Sequence, residues 1–183
     1  MKNPIGNERY RHYTTPQLLN AYKQGPSRIN HVIKDLTLED LKSKLIPGKW
    51  SILEIVIHLT DAELIGACRF RLVISDYTGT LPFYNQDDLA VKLKYNEQSE
   101  KELSENLSLF GSIRETTHSI LLQCSDNDWH KTGIHPARGE MSLRALLELY
   151  ADHAERHIEQ ILRLRQLLKK PMEFELLLKD RLY

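Results

Sequence analysis

The chain has 183 residues, 41% hydrophobic and 27% charged, with 25 basic and 25 acidic side chains and a formal net charge of zero. This is the mix of an ordinary soluble globular domain with enough apolar material for one core, and the balanced charge argues against a general nucleic-acid or polyanion binder, which is expected to be basic. Two cysteines without CxxC spacing, Cys68 and Cys124, argue against a disulfide framework, and neither a leader-like h-region nor a run near the ~18 apolar residues of a membrane span occurs, so the expected setting is cytoplasmic with no membrane or nucleic-acid partner.

Residues 1–15 are polar and read as a lead-in. The stretch "TPQLLNAYKQ" predicts a helix with Thr15 as N-cap and Pro16 in its first turn. Gly25-Pro26 is expected to break or kink it. "SRINHVIKDL" resumes the apolar spacing at Ile29, Val32, Ile33 and Leu36. "TLEDLKSKL" reads as a short capped turn of helix, and "IPGKW" as a loop.

A second long helix is expected from about Ser51 to Asp76, opened by a capping box of Ser51 and Glu54. Its start, "SILEIVIHL", is apolar on nearly all sides, as in a helix buried within a bundle. "DYTGTLPFYNQDD" is a long connection rich in turn formers. The third helix, about Asn96 to Cys124, carries a stripe of Leu103, Leu107, Phe110, Ile113, Thr117, Ile120 and Cys124. "SDNDWHKTGIHPARGEM" is a loop or a small hairpin. The fourth helix runs from about Ser142, its cap, to Lys169, and Pro171 ends it. The tail, 171–183, can pack back on the bundle or on a second subunit. The fold class is therefore all-α, a four-helix bundle over 16–170 with long connections between helices two and three and between helices three and four. Connections of that length are more often functional than idle.

The stretch "ADHAERHIEQ" poses the functional question. Leu143, Leu147, Tyr150, Ala154, His157, Ile161, Leu164 and Leu168 follow steps of three and four, which makes them the core-facing stripe. His157 lies within it and His153 at its edge, so the two rings stack on one face. Buried imidazoles need partners for their nitrogens, and two protonated rings side by side repel. A divalent metal resolves both problems by binding the neutral rings. The second long helix offers a third ring, His58, in its most apolar part. A single histidine on an apolar face is more often a satisfied core residue. Together with the pair on the fourth helix, however, His58 can complete a three-nitrogen site that leaves one coordination position open, the arrangement of a catalytic centre.

These segments resemble the DinB/YfiT-like superfamily, and more closely its YfiT-like branch. The resemblance rests on "PGKWSILEIVIHLTDAE", on "CRFRLVISD" followed by "LPFYN", and on "GIHPARGEMSLRALLELYADHAERHIEQI". It spans roughly residues 26–168. It implies a four-helix bundle binding one divalent metal ion, zinc or nickel among others, through His58, His153 and His157. It also implies a homodimer, and an activity that is either metal-dependent hydrolysis or thiol S-transfer with a low-molecular-weight thiol such as bacillithiol. Relatives often carry further histidines beside the pair; here the intervening residues are Ala154, Glu155 and Arg156.

Around these positions, Asp61 is read as the catalytic carboxylate: it can orient a ligand imidazole through the ring's second N–H, accept a proton from metal-bound water, or act as a fourth ligand. The alternative is an exposed helix acid. Glu63 is expected at the surface, and Glu155 and Arg156 toward water or a partner. Arg69 or Arg71 can hold a carboxylate-bearing substrate or thiol, although a plain ion pair is the favoured reading. His135 and Tyr84, on the two long connections, can line a pocket mouth if both loops reach the metal end, and His135 can shuttle protons. His12, His31, His118 and His130 have no partner spacing. Trp50 is expected to anchor the second long helix by packing, and both cysteines to be buried thiols. The function that follows is a metal-dependent enzyme acting on a small molecule. The alternative is a non-enzymatic metal-binding module that works through a protein partner, with the tail as contact.

Overall fold

A computed structural model describes residue 10 and residues 12–178. These residues form six α-helices and one hairpin: α1 Thr15–Ile33, α2 Leu38–Lys42, α3 Ile52–Ile74, α4 Gln86–Lys92, α5 Glu100–Leu121, β1 Thr132–His135, β2 Gly139–Ser142 and α6 Leu143–Leu167. The four long helices, α1, α3, α5 and α6, form the bundle. Both α1 and α3 pack against α5 and α6, so the order around the bundle is α1–α5–α3–α6. Consecutive long helices therefore lie on diagonals twice, at α1 to α3 and at α5 to α6. No helix among the described residues is long and apolar enough to cross a membrane.

Side-chain caps set the helix starts. Ser51 and Glu54 form the expected capping box on α3, and Ser142 accepts from the Ala145 N–H on α6. On α1 the cap is Thr14 rather than Thr15: Thr14 and Gln17 form a reciprocal box that the expected register missed. The third long helix begins at Glu100, capped by Ser99, and the connection before it contains α4 and a 3₁₀ turn at Tyr95–Glu97. The expected stripe on α5 holds at Leu103, Phe110 and Thr117 but then turns to Arg114 and Leu121 instead of Ile113 and Ile120.

Helix α1 runs unbroken through Gly25-Pro26, against expectation. Pro26 has no N–H to give to the carbonyl four residues back, and that carbonyl belongs to Tyr22. The Arg114 guanidinium supplies the missing donor, Nη1 to Tyr22 O at 2.8 Å. Gly25 makes room for it, since a Cβ there would lie 2.2 Å from Arg114 Nη1. The pair that looks like a helix breaker is the port through which α5 reaches α1.

The same guanidinium donates from Nε to Glu63 of α3 at 2.7 Å and from Nη2 to Tyr150 O of α6 at 2.8 Å. The Tyr22 hydroxyl donates to the other Glu63 oxygen. Arg114 and Glu63 side chains are each 1% exposed, so Glu63 is a core residue and not the surface acid expected. Glu155 is also buried, accepting from Arg28 and from the Leu177 N–H. That contact, with the donation of Arg28 Nη2 to Glu175 O, lays residues 171–178 back on the bundle. Cys68 is exposed and Cys124 half-buried, so neither is the buried thiol expected.

Removing one member of a buried ion pair leaves an uncompensated charge, typically at a cost of about 3–5 kcal/mol. Arg114→Met is expected to lower unfolding free energy by that order in urea titration. Part of the loss is the orphaned Tyr22 carbonyl, so Pro26→Ala in the Arg114→Met background should recover about 1 kcal/mol. A double variant no more stable than Arg114→Met would show that the proline gap is filled some other way.

Candidate metal centre

His58 projects from the apolar first half of α3, while His153 and His157 project from α6, one turn apart. The three rings meet between the helices. His153 Nε2 lies 3.2 Å from His58 Nε2 and 3.1 Å from His157 Nε2. A ligand atom from each ring lies within 4.8 Å of the other two, and this is the cluster of metal-ligating side chains found among the described residues. Ring centroids are 4.6–5.1 Å apart with interplanar angles of 69–82°. The rings thus meet edge-on with their nitrogens inward and do not stack.

That arrangement fits a metal ion better than a hydrogen-bonded cluster. His157 Nδ1 lies 3.1 Å from Gln160 Oε1. The amide oxygen only accepts, so the His157 proton sits on Nδ1 and its Nε2 presents a lone pair. His58 Nδ1 is buried without a hydrogen-bond partner. Three imidazoles crowded nitrogen to nitrogen cannot all donate to one another. Metal–nitrogen bonds of about 2.0–2.1 Å at angles between octahedral and tetrahedral values place ligand nitrogens about 2.8–3.4 Å apart, and the separations of His153 Nε2 from His58 Nε2 and His157 Nε2 fall in that range.

Burial holds the rings neutral. His58 is pushed down to about 3 by desolvation and then by His157. His157 is pushed down to about 4 by desolvation, partly opposed by the bond to Gln160. His153 falls well below the ordinary histidine range through desolvation and then through its two neighbours. Neutral rings at pH 7 are the form a metal binds.

Trp50 does more than anchor the start of α3: its ring lies 4.6 Å from the His58 ring, so packing orients that imidazole. The expected contact from Asp61 is absent. Asp61 accepts from the Tyr95 hydroxyl, and no hydrogen bond joins it to any of the three rings. Gln160 was missed by sequence reasoning. Its signal was available, an amide one turn after His157 on the same helix face, but a helical glutamine is too common to single out.

Both long connections reach the metal end. Leu81 N–H donates to Ile134 O at 2.8 Å, and Thr80 bridges Ile134, clipping the loop after α3 to strand β1. The loops and the two helices enclose a cavity of about 400 Å³ lined by Arg69, Tyr84, His135, Arg138, Tyr150 and His153, among others. Tyr84 and His135 therefore stand where the sequence placed them, beside one of the three imidazoles. His135 is pushed down to about 4 by burial and then by Arg69 and Arg138. Its Nδ1 accepts from the Ala137 N–H at 3.2 Å, so the neutral ring carries its proton on Nε2 and faces a ligand as a donor. Arg69 makes no ion pair among the described residues; it donates to Pro82 O and to the Tyr150 hydroxyl. The favoured expectation of a plain ion pair is not met there. Gly66 permits this corner, since a Cβ on it would lie 2.4 Å from the Tyr150 ring.

The DinB superfamily profile matches residues 21–161, and the chain belongs to that superfamily. Proteins from two Bacillus species, each described as a candidate metal-dependent hydrolase, are 27% identical to it over 172 residues. They come from Bacillus cereus and Bacillus anthracis, and each match covers 91% of this chain and 96% of the relative. Among solved structures, the fold is similar to that of YfiT from Bacillus subtilis, described as having an unusual four-helix bundle topology. The TM-score is 0.79 at 20% identity, over 92% of this chain and 93% of that one. It is also similar to the mycothiol-dependent maleylpyruvate isomerase, with a TM-score of 0.66 at 9% identity, over 83% of this chain and 62% of that one.

The depressed histidine pKa values fix the sign of a pH effect. The unfolded chain binds protons near pH 6.5 while the folded rings do not, so stability is fully present above about pH 6.5 and declines as the pH falls toward 4. In chelator-treated protein the urea midpoint is expected to fall between pH 7 and pH 4.5. Replacing His157 by Gln should flatten that dependence. A midpoint equally steep in the variant would assign the effect to other groups.

Proposed function

We infer that the chain is a divalent-metal-dependent enzyme acting on a small molecule, with His58, His153 and His157 as the metal-holding residues. The observation that carries this reading is that His153, within hydrogen-bond distance of both His58 and His157, also lines a cavity large enough for a substrate. A purely structural site is closed by protein ligands. A three-ligand site beside a cavity keeps a position for a reacting molecule, which favours an enzyme over a binding module. The naming of the Bacillus relatives supports the same reading.

A divalent cation such as zinc or nickel, held by His58, His153 and His157, would supply Lewis acidity there and would lower the pKa of a water or a thiol near it. The chain's own residues then supply binding and proton donation. Tyr84, Tyr150 and His135 present hydroxyl and imidazole donors to the cavity, and no carboxylate lines it. Asp61 is held by Tyr95, so its influence on the site passes through that hydroxyl and through the field it exerts on Tyr84.

Within this reading the thiol S-transferase is favoured over the hydrolase. A thiol, ionising near 8.5, needs a small shift to become a thiolate at neutral pH, whereas water needs a large one and profits more from a general base. The cavity offers no carboxylate base, and the His135 tautomer donates. A low-molecular-weight thiol as co-substrate accords with these groups.

Elemental analysis of the purified protein is expected to show about one equivalent of zinc or nickel per chain, lost in His157→Ala. Consumption of an electrophile such as an epoxide or a chloroaromatic should require both thiol and metal, and chelation should abolish it. Ester or amide hydrolysis without thiol, equally metal-dependent, would favour the hydrolase. Turnover that survives chelation would remove the metal from the reaction.

A further inference from the structure

Arg69 is 4% exposed, on the second-to-last turn of α3. Its Nε and Nη2 donate to Pro82 O at 3.1 and 2.5 Å, and its Nη1 donates to the Tyr150 hydroxyl at 2.9 Å. Both acceptors are neutral. A guanidinium carries five N–H donors, so these three bonds leave two without an acceptor, and the charge has no ion-pair partner, among the described residues. Two acids exert fields on the tyrosines of this cavity, and neither forms an ion pair with Arg69: Glu63 is paired with Arg114 and accepts from Tyr22, and Asp61 accepts from the Tyr95 hydroxyl.

Burying a charge without an opposite one is costly. If holding the Pro82 carbonyl were the purpose, a neutral amide would do it without that cost. What distinguishes this site is that the charge faces a cavity. Arg138 stands exposed on the same wall, no Asp or Glu lines it, and Phe83, Tyr84, Leu149 and Tyr150 give it an aromatic and apolar lining. Tyr150 uses its oxygen to accept from Arg69, which leaves its O–H to donate to a ligand. The Arg69 guanidinium also lies 5.9 Å from the Tyr84 ring centroid, so that ring helps to fix its plane. A planar cation, a hydroxyl donor and a second arginine at the rim form a receptor for a planar anion.

We propose that Arg69, assisted by Tyr150 and Arg138, is the binding site for the carboxylate of an organic acid whose apolar body lies along Phe83 and Tyr84 with its other end toward His153. This rests on the metal-enzyme reading above and gives its substrate class: small carboxylates with an apolar or aromatic body, in place of neutral electrophiles or esters at large. Arg69 thus acts as a specificity-determining residue, setting which molecule is held beside the three imidazoles.

The test compares two isosteric probes, benzoate and benzamide, by calorimetric titration of the metal-loaded protein at fixed ionic strength. A charge-assisted bond to a guanidinium predicts that benzoate binds at least about tenfold more tightly than benzamide. Arg69→Gln is expected to abolish that preference while leaving metal content unchanged. Arg138→Gln should reduce the preference in part, and Arg69→Lys should retain a part of it through its charge. Equal affinity of the wild type for the two probes would overturn the proposal, and it does not depend on any variant folding. A preference for benzoate that persists in Arg69→Gln would also overturn it, because the carboxylate would then be bound by the cation or by another group. If no metal is found in the protein but the preference for benzoate exists and depends on Arg69, the metal reading fails and the anion site stands.

Discussion

The guanidinium of Arg114 touches all four long helices. It belongs to α5, forms an ion pair with Glu63 of α3, and donates to the Tyr22 carbonyl of α1 and the Tyr150 carbonyl of α6. An apolar side chain in that place would fill space without specifying where each helix stops sliding, whereas directional bonds at 2.7–2.8 Å do specify it. Buried ion pairs give uncertain net stability, because desolvation offsets much of their attraction. What this one contributes is register. Two of its partners lie close in sequence to the metal-centre histidines: Glu63 follows His58 on α3, and Tyr150 precedes His153 by about one turn on α6.

That placement matters because α3 and α6 must present their rings to within a few tenths of an ångström of a common point. Each helix fixes its own rings locally: Trp50 packs on His58, and Gln160 bonds His157. Neither contact fixes one helix relative to the other. Arg114 does, from outside the centre, and Gly25 and Gly66 admit the two bulky groups involved, Arg114 and the Tyr150 ring. At this level α5 reaches α1 through the gap in the helical hydrogen-bond ladder that Pro26 creates.

Much of this was legible in the sequence, and the limits have physical causes. The four long helices and the caps at Ser51 and Ser142 follow from local rules of periodicity and capping, which need no knowledge of the partner helix. The His153–His157 pair is local in the same sense. His58 could be joined to that pair only because a bundle was already expected. The errors arose where a local rule was overridden by a distant residue. Pro26 was expected to interrupt α1, since nothing within α1 announces that Arg114, 88 positions later, will satisfy the orphaned carbonyl. Glu63 and Glu155 read as surface acids because their cationic partners, Arg114 and Arg28, lie on other helices. Asp61 was assigned by its spacing from His58, but a tyrosine hydroxyl from the following connection holds it. Arg69 is the converse case: an ion pair was the reasonable expectation for a helical arginine, and its absence among the described residues could be seen only once their acids had been placed.

The distribution of charge has a consequence for how metal and anion would influence each other. Of the acids near the centre, Glu63 is paired with Arg114 and Asp61 accepts from the Tyr95 hydroxyl, neither lines the cavity, and the cavity is lined by Arg69, Arg138 and neutral donors. Adding a divalent cation beside those arginines raises the local positive charge further, so by Coulomb repulsion alone the arginines weaken metal binding. A bound carboxylate reverses the sign: it neutralises the guanidinium and lowers the potential at the three imidazoles. Linkage requires this to be mutual, each ligand strengthening the other by the same factor. A site that used an acidic residue for the same neutralisation would hold its metal more tightly but would forfeit the discrimination, because the counter-charge would then be present whether or not the right substrate had arrived.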